Sequence, residues 1–569
     1  MKKVALVSLI SIFIAITVLS GCSSNNTSEN TSKVENTATN DASTNQTKTN
    51  DTAVTNETTT EQGVPEKYDP PIEMTTVGVN YPTVKFSEGE SRTDNVWTRA
   101  YLDKFGIKLN YKWVVDDTQL EQKTNLMLST GEIPDFMNVT DIQFKQLYDA
   151  GLIEDLTDVY EKYASESVKR MMTAGGPIAM DSAKFNGRLM GIPYTMSNKE
   201  VADVIFIRQD WMDKLGLPAP KSMQDVLAIS EAFTTKDPDG NGKADTFGLA
   251  ADKGMTMLNG FINGYHAYRD LWIKDSTGNL VYSDIQPEMR AALQALQGMY
   301  KSKQLDQEFS VKEFAKVSES LAASKVGILY YPPYGGSYPL QSVRDNNPSS
   351  DWTAYPLPSI DSTPAAPQVG ASTNGYWVVK KGYEHPEAIL KIMDFWIKTF
   401  YENKSREVME KYVTTPDGNT PWLLSAIFSY EGFFNVDVQQ DIKAVIEGSK
   451  KFDDINPIAQ DTYTKVMNFV ERKDEKFWGF DEVYGLHGAR AITKEVYLAN
   501  NLFTENQFYS TATQTMGVKM ATLQKMRDVA FTKIITGAPI EEFDQFVESW
   551  NKSGGEQITK EVNDWYKSK

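Results

Sequence analysis

Three aspartates and an asparagine alternate along Asp237-Pro-Asp239-Gly-Asn241-Gly242-Lys243-Ala-Asp245. Oxygen donors at loop positions 1, 3, 5 and 9, with glycine at position 6 where the chain turns sharply, suit a calcium ion that collects six or more hard oxygens at ~2.3–2.6 Å. The Lys243 carbonyl would be the ligand at position 7. The spacing predicts a structural Ca2+ held by Asp237, Asp239, Asn241, Lys243 and Asp245, set against the plainer alternative of an acidic surface turn. Position 12, where an EF-hand loop carries a bidentate glutamate, is Gly248, which leaves one ligand open. Arg208 could grip a hydroxyl or carboxylate with two N–H groups, or close a structural salt bridge. Nothing else marks a reaction. There is no Gly-x-Ser-x-Gly elbow, His-Glu-x-x-His, Walker loop or dinucleotide fingerprint. The histidines, His266, His385 and His487, are scattered along the chain. With 76 Asp and Glu residues, carboxylate pairs in sequence carry no signal of hydrolysis.

The elements that must position these groups begin near residue 75. Strands are predicted over 75–79, 108–113 and 135–139, alternating with helices over 95–105, 120–128 and 142–149. Trp97, Tyr101 and Phe105 recur on one face of the first helix, and Gly131 stops the second. The alternation predicts α/β layers with a mainly parallel sheet. Ligands of such sheets bind beyond the C-terminal strand ends, which puts Thr140 and Asp141 at a cleft edge. A strand over 204–208 and helices over 209–215 and 222–233 follow, then a helix-rich region with strands near 326–330 and 376–379. Pro386 fits the first turn of a helix over 386–400 that turns Ile389, Ile392, Met393, Trp396 and Phe400 inward. Residues 517–566 read as helix, broken at 537–539 and 554–555.

The 569 residues carry 58 Lys and Arg against 76 Asp and Glu, a formal net charge of −18. That field argues against a nucleic-acid binder. Hydrophobic residues at 40% allow a sizeable core, and a single cysteine excludes intrachain disulfides and multi-cysteine zinc sites. Lys2 and Lys3 precede an uncharged apolar run over 4–19, the n- and h-regions of an export signal. It closes on Leu19-Ser-Gly-Cys22, which resembles the lipobox of bacterial lipoproteins and implies cleavage after 1–21 and diacylglycerol on Cys22. Two buried acyl chains suffice for stable anchoring. Residues 23–62 are mostly Ser, Thr, Asn and Gln with no aromatic, so 22–66 is expected to be an unstructured tether.

Four stretches carry a wider resemblance: Leu126-Met-Leu-Ser-Thr-Gly131-Glu-Ile-Pro-Asp135, Ala150-Gly-Leu-Ile-Glu-Asp-Leu156, Phe185-Asn-Gly-Arg-Leu-Met-Gly-Ile-Pro193 and Arg208-Gln-Asp-Trp-Met-Asp-Lys-Leu-Gly-Leu217. In this order they resemble the extracellular solute-binding proteins of ABC importers, family 1, in the lipoprotein branch with the alginate-oligosaccharide binders. The resemblance implies a class II periplasmic-binding-protein-like fold of two α/β lobes with a hinge and an interlobe cleft. One lobe would take 67–193 plus about 375–420, the other 194–374 plus about 421–569. The crossovers would fall at 191–194, which includes Tyr194, and 370–376. It also implies a monomer that captures an oligosaccharide by closing and hands it to permease subunits outside the cell membrane, with no enzyme activity. A surface glycoside hydrolase, or a glycan- or peptide-binding adhesin, is the alternative. In alginate-binding relatives a matching loop holds calcium, with an acidic residue where this chain has Thr246. Sugars stack apolar C–H faces on aromatic rings and pair hydroxyls with polar groups. Loops of that composition contain Tyr265, Tyr268 and Trp272; Tyr331 and Tyr334; Tyr376 and Trp377; and Trp478. Any single ring packs in a core as readily as it lines a cleft, and Trp396, Trp550 and Trp565 on regular helix faces are expected in the core.

Overall fold

A computed structural model describes residues 65–569 apart from 82, 83, 85, 175, 176, 196, 197, 371, 372 and 416–418. The export signal, Cys22 and the tether as far as residue 64 lie outside the described residues.

Strand β1 (Ile72–Asn80) is followed by helix α1 (Val96–Phe105). Asn95 sets the start of α1. Its side-chain oxygen accepts from the Trp97 and Thr98 amides at 2.9 and 3.2 Å, while its own amide donates to Thr98 Oγ1 at 2.9 Å. This reciprocal cap satisfies amides that the first turn leaves unpaired. Gly106 ends α1 with φ of 66°, and a Cβ there would lie 2.2 Å from the Tyr68 carbonyl oxygen. Glycine is needed for both the left-handed turn and the close approach. Strand β2 (Ile107–Asp116) then pairs parallel with β1. Helix α2 (Leu120–Thr130) stops at Gly131, β3 (Phe136–Val139) leads into α3 (Asp141–Asp149), and β4 (Ile192–Thr195) ends this first passage.

The chain continues through β5 (Val204–Arg208), wholly buried and apolar up to its last residue, then α4 (Gln209–Leu215), α5 (Met223–Thr235) and β6 (Phe247–Leu249). Strands β7 (Trp272–Lys274) and β8 (Leu280–Tyr282) form a hairpin. Strands β9 (Val326–Tyr331) and β10 (Trp352–Tyr355) complete a sheet in the order β10-β5-β9-β6. The chain returns as β11 (Thr373–Val379) and α6 (Ala388–Phe400). Its later helices include α7 (Trp478–Tyr484), α8 (Gln514–Ile535), α9 (Glu542–Trp550) and α10 (Glu556–Lys567).

Two sequence expectations are corrected. The sheets are not mainly parallel: β11 lies between β3 and β4 and runs antiparallel to both, and β5 is antiparallel to β9 and β10. β11 arrives from a remote part of the chain instead of over a helical crossover, so nothing forces it parallel. Helix α6 begins at Ala388, with Pro386 in the turn before it.

Two large hydrophobic clusters, and a small third one of Val438, Ile442, Ile455 and Ala459, hold the described body together. One collects residues from Tyr68 to Tyr194 and again from Tyr376 to Ile427; the other runs from Val204 to Ala365 and again from Trp478 to Val562. The chain therefore passes between the two large cores after Tyr194, before Tyr376 and between Ile427 and Trp478. Trp97 and Trp396 are fully buried in the first core, and Trp211 and Trp550 in the second. Each such ring removes ~150–250 Å² from water, worth at most about 4–6 kcal/mol before entropy is counted. Trp565 is only partly buried, edge-on to Phe508 and Tyr509 with centroids 4.9 Å away in both cases.

Candidate functional site

A cavity of about 550 Å³ opens between the cores. One wall comes from the first core: Thr140 and Asp141 where β3 meets α3, Ser182, and Thr373 to Tyr376 at the start of β11. The other comes from the second: Asp270, Trp272 and Tyr282 around the β7–β8 hairpin, then Asn506, Phe508, Tyr509 and one face of α8 as far as Gln524.

On the first wall, Thr140 caps α3 by accepting the Gln143 amide at 3.3 Å, while Gln143 Oε1 accepts the Thr140 amide at 3.1 Å. This sets Asp141 at the first helical position, where the helix dipole favours its negative charge. Tyr376 stacks on Phe144 at 4.2 Å and donates from its hydroxyl to Ser182 Oγ at 3.0 Å. Gly375 has φ of 99°, and a Cβ there would sit 2.4 Å from the Val139 carbonyl oxygen. Only glycine lets β11 lie this close to β3.

On the second wall, the Trp272 amide donates to Asn506 Oδ1 at 3.0 Å and its carbonyl accepts the Gln507 amide at 2.8 Å. These bonds pin the 506–510 loop to the hairpin. Tyr282 is stacked on Trp550 at 5.1 Å and donates from its hydroxyl to Asp270 Oδ1 at 3.0 Å. Asp270 Oδ1 also accepts from Arg527 and, at 3.2 Å, from Gln524. Burial would raise the Asp270 carboxyl, but Arg527 and Arg269 outweigh it and hold it below the usual carboxylate range. Buried Asp284 is pushed up by desolvation despite Arg527.

Of the residues marked in the sequence, this cavity brings together Thr140, Asp141, Trp272 and Tyr376. Tyr194 and Trp377 line instead a cavity of about 110 Å³ within the first lobe, with Arg92, Tyr111 and Asn138. Tyr268 is buried away from the main cavity. Tyr331 stacks on Phe314 at 5.8 Å and meets Tyr334 edge-on at 5.4 Å, outside the cavity. Two placements correct the expectation of ligand contact. Arg208, its side chain 2% exposed, donates from Nε and Nη2 to Asp210 at 2.8 and 2.7 Å and lies 4.3 Å from the Trp211 ring centroid. Its salt-bridge reading prevails because a guanidinium in a core needs a carboxylate beside it. Trp478 is buried as well, donating from Nε1 to Asp351 Oδ1 at 3.2 Å.

The sequence reading missed Asp270, Asn506 and Tyr509. The polar and aromatic run at 506–509 ahead of a long helix was the available signal; Asp270 offers none in sequence.

In the 237–245 loop, Asp237 carries φ of 45°, and its carboxylate accepts the amides of Gly240, Asn241 and Gly242 at 3.0–3.1 Å. Asn241 Nδ2 donates to Asp239 at 2.7 Å and to Asp245 at 3.1 Å, so an amide bridges the carboxylates. Burial, then the neighbouring carboxylates of Asp237 and Asp245, push the Asp239 carboxyl up. Among the described residues no group of three or more His, Cys, Asp or Glu is arranged to hold a metal ion, and Asn241 Oδ1 accepts the Lys243 amide at 2.7 Å. Thr246 is buried with its hydroxyl donating to the Phe233 carbonyl at 2.8 Å, directed into the fold. Gly248 is inside β6, where a Cβ would fall 1.9 Å from Ser230 Oγ. No glutamate can occupy position 12.

Comparison with known proteins agrees with this frame. The family of bacterial extracellular solute-binding proteins matches residues 97–462. Lipoprotein LipO of Bacillus subtilis is 23% identical over 492 residues, 84% of this chain and 90% of its own. The alginate-binding protein AlgQ2, solved without calcium ion, superposes with a TM-score of 0.58 at 15% identity over 89% of this chain and 99% of that one. The EF-hand mutant of the ABC-transporter substrate-binding protein FusA from Streptococcus pneumoniae, solved with fructo-nystose, gives 0.59 at 16% identity over 87% and 99%. With well over half of the sequence matched, and two lobes facing each other across a cleft, the chain belongs to the bacterial extracellular solute-binding protein family.

Proposed function

We propose that this protein is an extracytoplasmic receptor of an ABC importer, anchored through a lipid on Cys22, that captures an oligosaccharide between its lobes and passes it unchanged to the permease. The observation that carries this reading is the cavity of about 550 Å³ walled by both cores, with aromatic faces and polar groups on each side. A ligand there touches both lobes only when they close, so binding draws the population toward the closed form. The lobes would divide near 67–193 plus about 375–420 and 194–374 plus about 421–569, although Leu424 and Ile427 pack in the first core. Thr140, Asp141, Trp272 and Tyr376 would be sugar contacts, with Tyr194 and Trp377 at the smaller cavity of the first lobe.

Calcium would be held by Asp237, Asp239, Asn241, the Lys243 carbonyl and Asp245, bracing the loop between α5 and β6. The loop's crowded carboxylates support this, as do the calcium and the EF-hand named for AlgQ2 and FusA. The protein would act as a monomer. Titrating the purified protein with oligosaccharides tests the central reading. Saturable tryptophan fluorescence with no new reducing ends supports it; new reducing ends overturn it. Replacing Cys22 with alanine should release the protein from the cell surface into the medium.

A further inference from the structure

We infer that the cleft takes uncharged oligosaccharides and rejects polyuronates, because carboxylates face the ligand from both walls while the guanidiniums beside Asp270 are turned inward. The inference deepens the oligosaccharide reading above and rests on it.

Asp141 is exposed at the first position of α3 on one wall, and the Asp270 side chain is 44% exposed on the other. Behind Asp270, Arg527 is 6% exposed and bonds to Asp270, Asp284 and Asp528, the last two at 3.2 and 2.9 Å. Arg269 is 4% exposed; it donates to the carbonyls of Gly254 and Met255 at 3.0 and 2.8 Å and reaches Asp528 at 3.6 Å. Two guanidiniums thus meet three carboxylates, and Asp141 adds a fourth across the gap. The other polar lining groups, among them Thr140, Asn374, Asn506 and Gln524, are neutral, and no lysine or arginine stands among the described lining residues. A sugar hydroxyl donating to Asp141 or Asp270 makes a charge-assisted hydrogen bond. A uronate brought to the same place sets like charges together in a closing, water-poor cleft, where repulsion is screened far less than at an open surface. The net charge of −18 acts in the same sense at longer range.

The test is calorimetric titration of the purified protein with matched pairs, each neutral oligosaccharide beside its uronate counterpart: galactan and galacturonan, glucan and glucuronan, mannan and mannuronan trimers. The expected result is binding of a neutral trimer at least tenfold tighter than its uronate partner, with the gap narrowing in Asp141→Asn and Asp270→Asn. Melting curves without ligand establish that both variants are folded. A uronate that binds as tightly as its neutral partner overturns the inference and leaves the oligosaccharide reading standing. An unchanged gap in both folded variants overturns the role given to the carboxylates. Failure of every trimer, neutral and charged, to bind overturns the oligosaccharide reading and this inference with it.

Discussion

Tyr509 and Trp272 stand on the same wall of the cleft but differ in burial, so their replacement should separate binding from stability. Tyr509 is half-buried and lines the cavity, while Trp272 is 3% exposed and belongs to the second core. Ring stacking worth about 1–1.5 kcal/mol predicts that Tyr509→Ala weakens sugar binding roughly tenfold with little change in melting temperature. Trp272→Ala should instead cost about 3–5 kcal/mol of stability, read by chemical denaturation. On the calcium reading proposed above, Asp239→Ala removes one of the four oxygen-bearing side chains and should abolish the binding measured by calorimetry. Because burial and the neighbouring carboxylates push the Asp239 carboxyl up, protons would compete with the proposed calcium there, and its affinity should fall as the loop's carboxylates are protonated.

Among the elements, the start of α8 depends on a neighbour. Glu561 of α10 accepts from the Thr515 hydroxyl and amide and from Gln557, and hydrogen bonds from Thr513, Thr515 and Gln557 overcome its burial to hold the carboxyl down at about 2. A depressed carboxylate contributes stability that is present above its ordinary range and lost as pH falls toward 2. Glu561→Gln should therefore cost about 1 kcal/mol at pH 7 and nothing at pH 2, as seen in urea denaturation. Asp481 of α7 has the opposite sign. Burial raises its carboxyl to about 6, so the folded state holds the proton more tightly and loses stability as pH climbs from about 4 to 6. Asp481→Asn should flatten that part of the stability profile and raise the melting temperature at pH 7.5.

For the whole molecule, the chain passes between the two large cores after Tyr194, before Tyr376 and between Ile427 and Trp478, and several connections favour a bending motion over free rotation. Small-angle scattering should show the radius of gyration falling when a bound sugar saturates the protein. An unchanged radius at saturation, with binding verified in the same sample, would exclude closure.

The helix stop at Gly131 was legible in sequence, because local hydrogen bonding and backbone sterics decide it within a few residues. The same is true of the acidic loop, whose donors lie on one short segment, and of Thr140 and Asp141 at a strand end. The direction of β11 was not legible, since its partners β3 and β4 are remote in sequence. Nor was the fate of the aromatic loops: Trp272 and Tyr376 line the cleft while Trp478 is packed inside. Which face a ring turns, and which carboxylate meets which arginine, depends on segments hundreds of residues apart, as Asp270 and Arg527 are. Only the packing of the two cores brings those segments together.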